Sequence, residues 1–138
     1  LPEPDPDTAL YFALFREVGV LAQLSGRLLE RHLPAGLLAS HFGVLNHLMV
    51  RGDGATPLAL ARAFQVPKTT MTHTLAGLER AGLVLTSPNP ADGRSKRVTI
   101  TESGRRLLNE TVARLAPDFA GMAALMVTDR VAAALRCS

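Results

Sequence analysis

The sequence predicts a mainly helical fold carrying one small β-hairpin. Three observations support this: apolar residues recur at three- and four-residue steps over most of the chain, Pro and Gly punctuate that pattern at intervals, and a single stretch, residues 83–101, alternates instead. At 138 residues the chain is long enough for one compact domain with its own core.

The first six residues, Pro-rich and acidic, are expected to form a loose tail, unlike the basic start of a signal peptide. Asp7 or Thr8 can then cap a helix whose apolar positions are Leu14, Phe15, Val18, Leu21, Ala22, Leu28 and Leu29. Pro34 and Gly36 end it. Helical spacing resumes through Phe42, Leu45, Leu48 and Met49 until "RGDGA" interrupts. Thr56 followed by Pro57 starts a helix of about two turns, because proline at the first helical position gives up only an N–H that would lack a partner anyway. A further helix runs from Pro67 to Ala81 and stops at Gly82.

"LVLTS" and "RVTIT" read as strands joined by a turn-rich loop, "PNPADGRSK", with Gly93 at the tip. From Glu102 a helix places Leu107, Leu108, Val112 and Leu115 on one face until Pro117 bends or breaks it. Thr128 or Asp129 can cap a last short helix.

Charge singles out the middle of the chain. The net charge is only +3, but residues 51–106 hold nine basic residues against four acidic ones, leaving the flanks slightly negative. On a helical wheel of residues 67–81, Met71, Leu75 and Leu78 share a buried face with Thr74. The opposite side carries Thr69, His73, Ala76, Gly77 and Arg80, flanked by Thr70 and Thr72, with Lys68 at the start. Hydroxyl and basic groups suit phosphates and base edges, and small residues let a helix enter a groove closely. A basic hairpin with Asp92, Arg94, Lys96 and Arg97 follows directly.

Competing chemistries find little support. The four histidines have no ligand spacing, the lone Cys137 excludes an internal disulfide or Cys-based zinc cluster, and no phosphate loop, dinucleotide fingerprint or nucleophile triad occurs. No enzyme, metal or cofactor is expected, and a reducing cytoplasm fits the cysteine usage. His41 or His47 could line a ligand pocket, although a satisfied buried histidine is the more common role.

"LARAFQVPKTTMTHTLAGLERAGLV" followed by "PADGRSKRVTITESG" resembles the winged helix-turn-helix of the MarR family of bacterial transcription regulators. The wing pattern of Asp-x-Arg and an alternating strand falls on Asp92, Arg94, Val98, Ile100 and Thr101. The resemblance implies a homodimer on a pseudo-palindromic double-stranded operator, acting as a repressor released by a small aromatic ligand, with no membrane partner. It divides the chain into a tail (1–6), an N-terminal dimerisation helix (7–36), a DNA-binding region (37–104) and C-terminal dimerisation helices (105–138). It also implies that Thr69, Thr70, Thr72 and His73 meet phosphates and base edges, that Arg94 enters the minor groove, and that Asp92 braces the wing; by their charge Lys68, Lys96 and Arg97 are expected to add most of the phosphate attraction, and Arg80 on the polar side of the helix joins the DNA-binding set. The chain departs from the family pattern at Gln65, where the turn often has Gly; at Thr86, where the strand often has Arg; and in the short region after Pro117. A winged helix used only for protein interaction is the alternative.

Overall fold

The computed structural model describes residues 5–136. Its order is α1 (Pro6–His32), α2 (Ala39–Arg51), α3 (Pro57–Ala63), α4 (Lys68–Arg80), β1 (Val84–Asn89), β2 (Asp92–Ile100) and α5 (Glu102–Arg136). Most of the expected tail, and Cys137, lie outside the described residues.

α1 begins earlier than the sequence suggests. Asp5, not Asp7 or Thr8, is its N-cap, and Pro6 takes the first helical position. The Pro-rich composition that argues for a tail is compatible with a helix start, because proline is lost only to the helix interior.

The core lies under the two central helices. Val44, Leu45 and Leu48 from α2 meet Leu60 and Ala61 from α3, Met71, Leu75 and Leu78 from α4, and Leu83, Val84, Val98 and Ile100 at the base of the hairpin. The α4 residues are those the helical wheel selects, since residues three and four apart stack on one side. α5 joins this core through Gly104 and Leu108, and its buried row continues with Thr111 and Leu115. Val112, expected on that face, is exposed.

Three corrections concern local structure. The loop expected over 88–96 is mostly strand: β1 and β2 pair antiparallel from Val84↔Ile100 to Pro88↔Lys96, and Asn89 then faces Asp92. Only Pro90 and Ala91 turn the chain, while Gly93, Arg94 and Ser95 bulge from β2 with no residue opposite them in the β1 register. Gly93 is neither at the tip nor in the left-handed region.

The second correction is that Pro117 lies inside one continuous α5, and the separate helix capped at Thr128 or Asp129 is absent. Proline removes one N–H and costs about 3 kcal/mol in a helix interior, but it leaves the flanking helical bonds intact. Neighbours such as Leu115, Ala116 and Ala120 favour helix on both sides. The third correction is that Pro67 is the N-cap of α4, not its first residue.

The link between α3 and α4 carries the one non-glycine residue with positive φ among those described, Gln65 at 52°. The backbone there takes the left-handed turn that glycine would adopt at lower cost. α1 packs on α2 and α5, yet Leu10, Tyr11, Phe12, Leu14, Phe15 and Val18 all remain exposed, Phe15 by 75%. Among the described residues, no helix is long and apolar enough to cross a membrane.

Candidate nucleic-acid interface

A groove of about 590 Å³ opens between the start of α3, the start of α4 and the hairpin. Its lining brings Lys68 and Thr72 of α4 opposite Arg94, Ser95 and Lys96 of the hairpin, with Leu58 of α3 between them. Residues more than twenty positions apart thereby share one wall, because α4, β1 and β2 pack on the common core.

The N-terminus of α4 adds to the polarity of this groove. Pro67 supplies no side-chain cap, so the first N–H groups of the helix lack the usual capping acceptor. Such an end attracts anions through its N–H groups and the helix dipole. Thr72 Oγ1 donates to Lys68 O at 2.9 Å and, on an exposed residue, keeps acceptor capacity toward solvent, whereas Thr74 Oγ1 donates to Thr70 O at 3.1 Å on the buried face. Thr69 and Thr70 are exposed on the first turn.

The hairpin tip is held by two side chains. Asp92 Oδ1 accepts from Arg94 N at 3.0 Å, and Asp92 O accepts from Ser95 Oγ at 3.3 Å. Asn89 accepts from Ala91 N at 3.1 Å and donates through Nδ2 to Ser95 Oγ at 3.0 Å. Together they fold residues 92–95 into a compact bulge that projects the Arg94 side chain. Asn89 and Ser95 were not among the sequence candidates; an Asn flanked by prolines before a turn was the available signal.

The other basic candidates lie elsewhere. Arg97 points to the opposite face of the hairpin, where Nε donates to Gly54 O at 3.4 Å beside Asp53, Pro88 and Thr99. His73 and Arg80 line a different cleft of about 550 Å³, with Leu37, Leu38, His41, Gly77 and Leu107. Thr86, the residue in place of a family Arg, is half-buried and tied to α4: its hydroxyl and its backbone N–H both donate to Glu79 Oε1. The change therefore replaces a projecting cation with a clamp between β1 and α4.

Four hydrogen bonds fix the base of the hairpin. Thr101 Oγ1 donates to Gly82 O at 2.7 Å and accepts from Gly104 N at 3.0 Å, capping α5 against the end of α4. Gly54 N donates to Val98 O and Val98 N to Ala55 O, each at 2.9 Å, so the chain before α3 makes a single β-bridge at Ala55 beside β2.

Two helices joined by a left-handed turn, followed by a hairpin packed on the second helix, define a winged helix-turn-helix protein. The model of the MarR family matches residues 35–95. The chain is 31% identical over 100 residues to the transcriptional activatory protein BadR of Rhodopseudomonas palustris, covering 71% of this chain and 55% of that one. It is 35% identical over 86 residues to an HTH-type transcriptional regulator of Mycobacterium tuberculosis, covering 62% and 59%. A mutant of MarR from E. coli complexed with operator DNA superposes with a TM-score of 0.68 at 27% identity, covering 83% of this chain and 81% of that one. The central region of the chain, residues 35–95, matches the MarR family in sequence, the described residues take the winged helix fold of that family, and the relatives are transcriptional regulators rather than enzymes. Its matches span less than two thirds of the length of the curated relatives.

Proposed function

We propose that the protein is a sequence-specific, double-stranded-DNA-binding transcriptional regulator that acts as a homodimer. The observation carrying this reading is the groove in which Lys68, Thr72, Arg94 and Lys96 converge on the uncapped start of α4. In this reading α4 enters the major groove, where Thr69, Thr70, Thr72 and His73 reach base edges and phosphates. Arg94 reaches the adjacent minor groove from the bulge braced by Asp92, and Lys68 and Lys96 hold phosphates. Exposed Arg80 follows His73 along the same side of α4 and adds a phosphate contact, while Arg97, facing the opposite side of the hairpin, contributes through the general field.

Dimerisation is supported by α1, whose row of exposed aromatic and aliphatic side chains is larger than an isolated surface needs. Burying that row against α1 and α5 of a second copy would set two α4 helices on one face, matching half-sites about one helical turn apart. This keeps residues 7–36 and 105–138 as the dimerisation region and 37–104 as the DNA-binding region. The sign of regulation is read as repression by occupying an operator, relieved by a small aromatic acid. The cleft lined by Leu37, Leu38, Leu83 and Leu107 with Arg80 at its rim supports such a ligand, as it offers apolar walls and a cation. A cytoplasmic location follows from the DNA target.

Selection of bound duplexes from a random pool, repeated with and without candidate aromatic acids, tests the reading. Enrichment of an inverted repeat is the expected result. Recovery of no duplex at low salt would favour a winged helix that serves protein interaction only.

A further inference from the structure

His41 occupies the third position of α2 and turns its ring back to the start of that helix. Its Nδ1 accepts the Leu38 backbone N–H at 2.9 Å, the role that Glu or Gln plays in a capping box. Accepting at Nδ1 places the ring proton on Nε2 in the neutral imidazole. That edge faces α4: a Cβ added at Gly77 would lie only 2.8 Å from His41 Nε2. The ring is thus wedged between the α1–α2 turn and the helix that carries Thr69, Thr72 and His73, and His41 is only 9% exposed.

We propose that His41 is a positioning residue for α4, and that a proton taken up on Nδ1 breaks the latch at Leu38 and displaces α4, lowering DNA affinity in mild acid. This inference rests on the DNA-binding reading above for its readout, but not for its structural content. Protonation sets an N–H on Nδ1 against the Leu38 N–H, two donors at one short contact. A flip of the ring gives no relief, because it puts Cδ2–H where Nδ1 stood and leaves the Leu38 N–H without an acceptor.

Charged groups around the ring make the cation unwelcome. α4 presents His73 and Arg80 to the same cleft, the α1–α2 turn contributes only Pro34, Ala35, Gly36, Leu37 and Leu38, and α5 contributes Leu107. Among the described residues no carboxylate lines that cleft, and Glu30 at the end of α1 is engaged with Ala39 N at 3.0 Å. Burial first, then the positive His73 and Arg80, holds the His41 imidazole below its ordinary range. A lowered affinity for protons keeps the latch closed near neutrality and confines its opening to acid.

The test compares the full-length parent with His41→Gln, which keeps an acceptor at the capping position and cannot titrate. A duplex selected by the parent is titrated by anisotropy at constant ionic strength, at about pH 7.5 and about pH 5.5. The parent is expected to lose about fivefold or more in affinity in acid, while His41→Gln binds within about threefold of the parent near neutrality and stays flat. A parent that does not weaken in acid, or a His41→Gln protein that weakens as the parent does, overturns the proposal. Nitrogen-15 NMR of the parent supplies the second readout without DNA. It is expected to show His41 protonated on Nε2 at neutrality, and amide shifts at Leu38 and Gly77 that follow the His41 titration. The opposite tautomer, or Gly77 indifferent to that titration, contradicts the latch even if the protein binds no duplex at all, a result that would count against the DNA-binding reading separately.

Discussion

Asp53 and Arg105 join the hairpin to α5: Arg105 Nη2 donates to Asp53 Oδ2 at 2.7 Å, while Asp53 Oδ1 accepts from Ile100 N at 2.8 Å. One carboxylate between α2 and α3 thus holds both the last residue of β2 and the first turn of α5. Its partly exposed position limits what the ion pair alone contributes. Asp53→Ala is expected to lower stability by about 2 kcal/mol, because the Ile100 N–H loses its acceptor along with the charge pair. Arg105→Ala, which removes the pair and the weak Nη1 contact to Met49 Sδ but leaves the Ile100 bond in place, costs about 1 kcal/mol or less. Urea unfolding of both variants checks the order, and an equal loss would place the stabilisation in the ion pair instead.

Gly104 marks the closest approach of α5 to the base of the hairpin. A Cβ there would overlap the Leu83 carbonyl oxygen and come within 2.8 Å of Ile100 Cγ1. Gly104→Ala should therefore destabilise the protein by about 2 kcal/mol or more, despite alanine's better helix propensity. Thermal melting checks this, and a rise in the midpoint would mean that α5 can move away freely.

Gln65 at φ 52° holds the turn between α3 and α4 in a conformation that favours glycine. Gln65→Gly relieves about 1 kcal/mol of strain and loses part of it to unfolded-state entropy, for a net gain of about 0.5 kcal/mol. Gln65→Val places a β-branched residue there and is expected to lose more than about 1 kcal/mol. Chemical denaturation of the pair decides, since the two substitutions must move stability in opposite directions.

Much of this fold was legible because the relevant signals are local. Thr56 with Pro57 marked the start of α3, Gly82 the stop of α4, and the wheel of α4 identified Met71, Thr74, Leu75 and Leu78 as its buried face. Gln65 stands out through the family resemblance alone, near the place where the turn often has Gly, and its φ of 52° shows that the turn is left-handed there. Less legible were features set by tertiary placement. Arg97 and Lys96 are neighbours in sequence, but strand alternation sends Arg97 toward Gly54 and leaves Lys96 in the groove. The bulge at Gly93, Arg94 and Ser95 depends on Asn89 meeting Ser95 across the hairpin, which no turn propensity encodes. The continuation of α5 through Pro117 depended on a long flanking helix outweighing one missing bond.

His41 gives stability its own pH dependence. Its folded-state value lies below the ordinary 6.5, so in acid the unfolded chain takes up a proton that the native state resists. Stability is complete above the unfolded value and declines as pH falls below it toward the folded value. Melting curves from about pH 7.5 to about pH 5.5 should show a loss in the parent that is smaller in His41→Gln. An identical decline in both proteins would assign the effect to other groups.

The central claim, that the groove between α4 and the hairpin binds duplex DNA, is tested most directly by the salt dependence of binding for the parent and Arg94→Ala. On a selected duplex, affinity of the parent should fall steeply between about 50 and 200 mM salt, as displaced counterions require. Arg94→Ala should bind about tenfold or more weakly, about 1.4 kcal/mol, with a shallower salt slope. Arg94→Ala binding like the parent with an unchanged slope would remove the hairpin from the interface, and no binding by the parent at low salt would contradict the DNA-binding function itself.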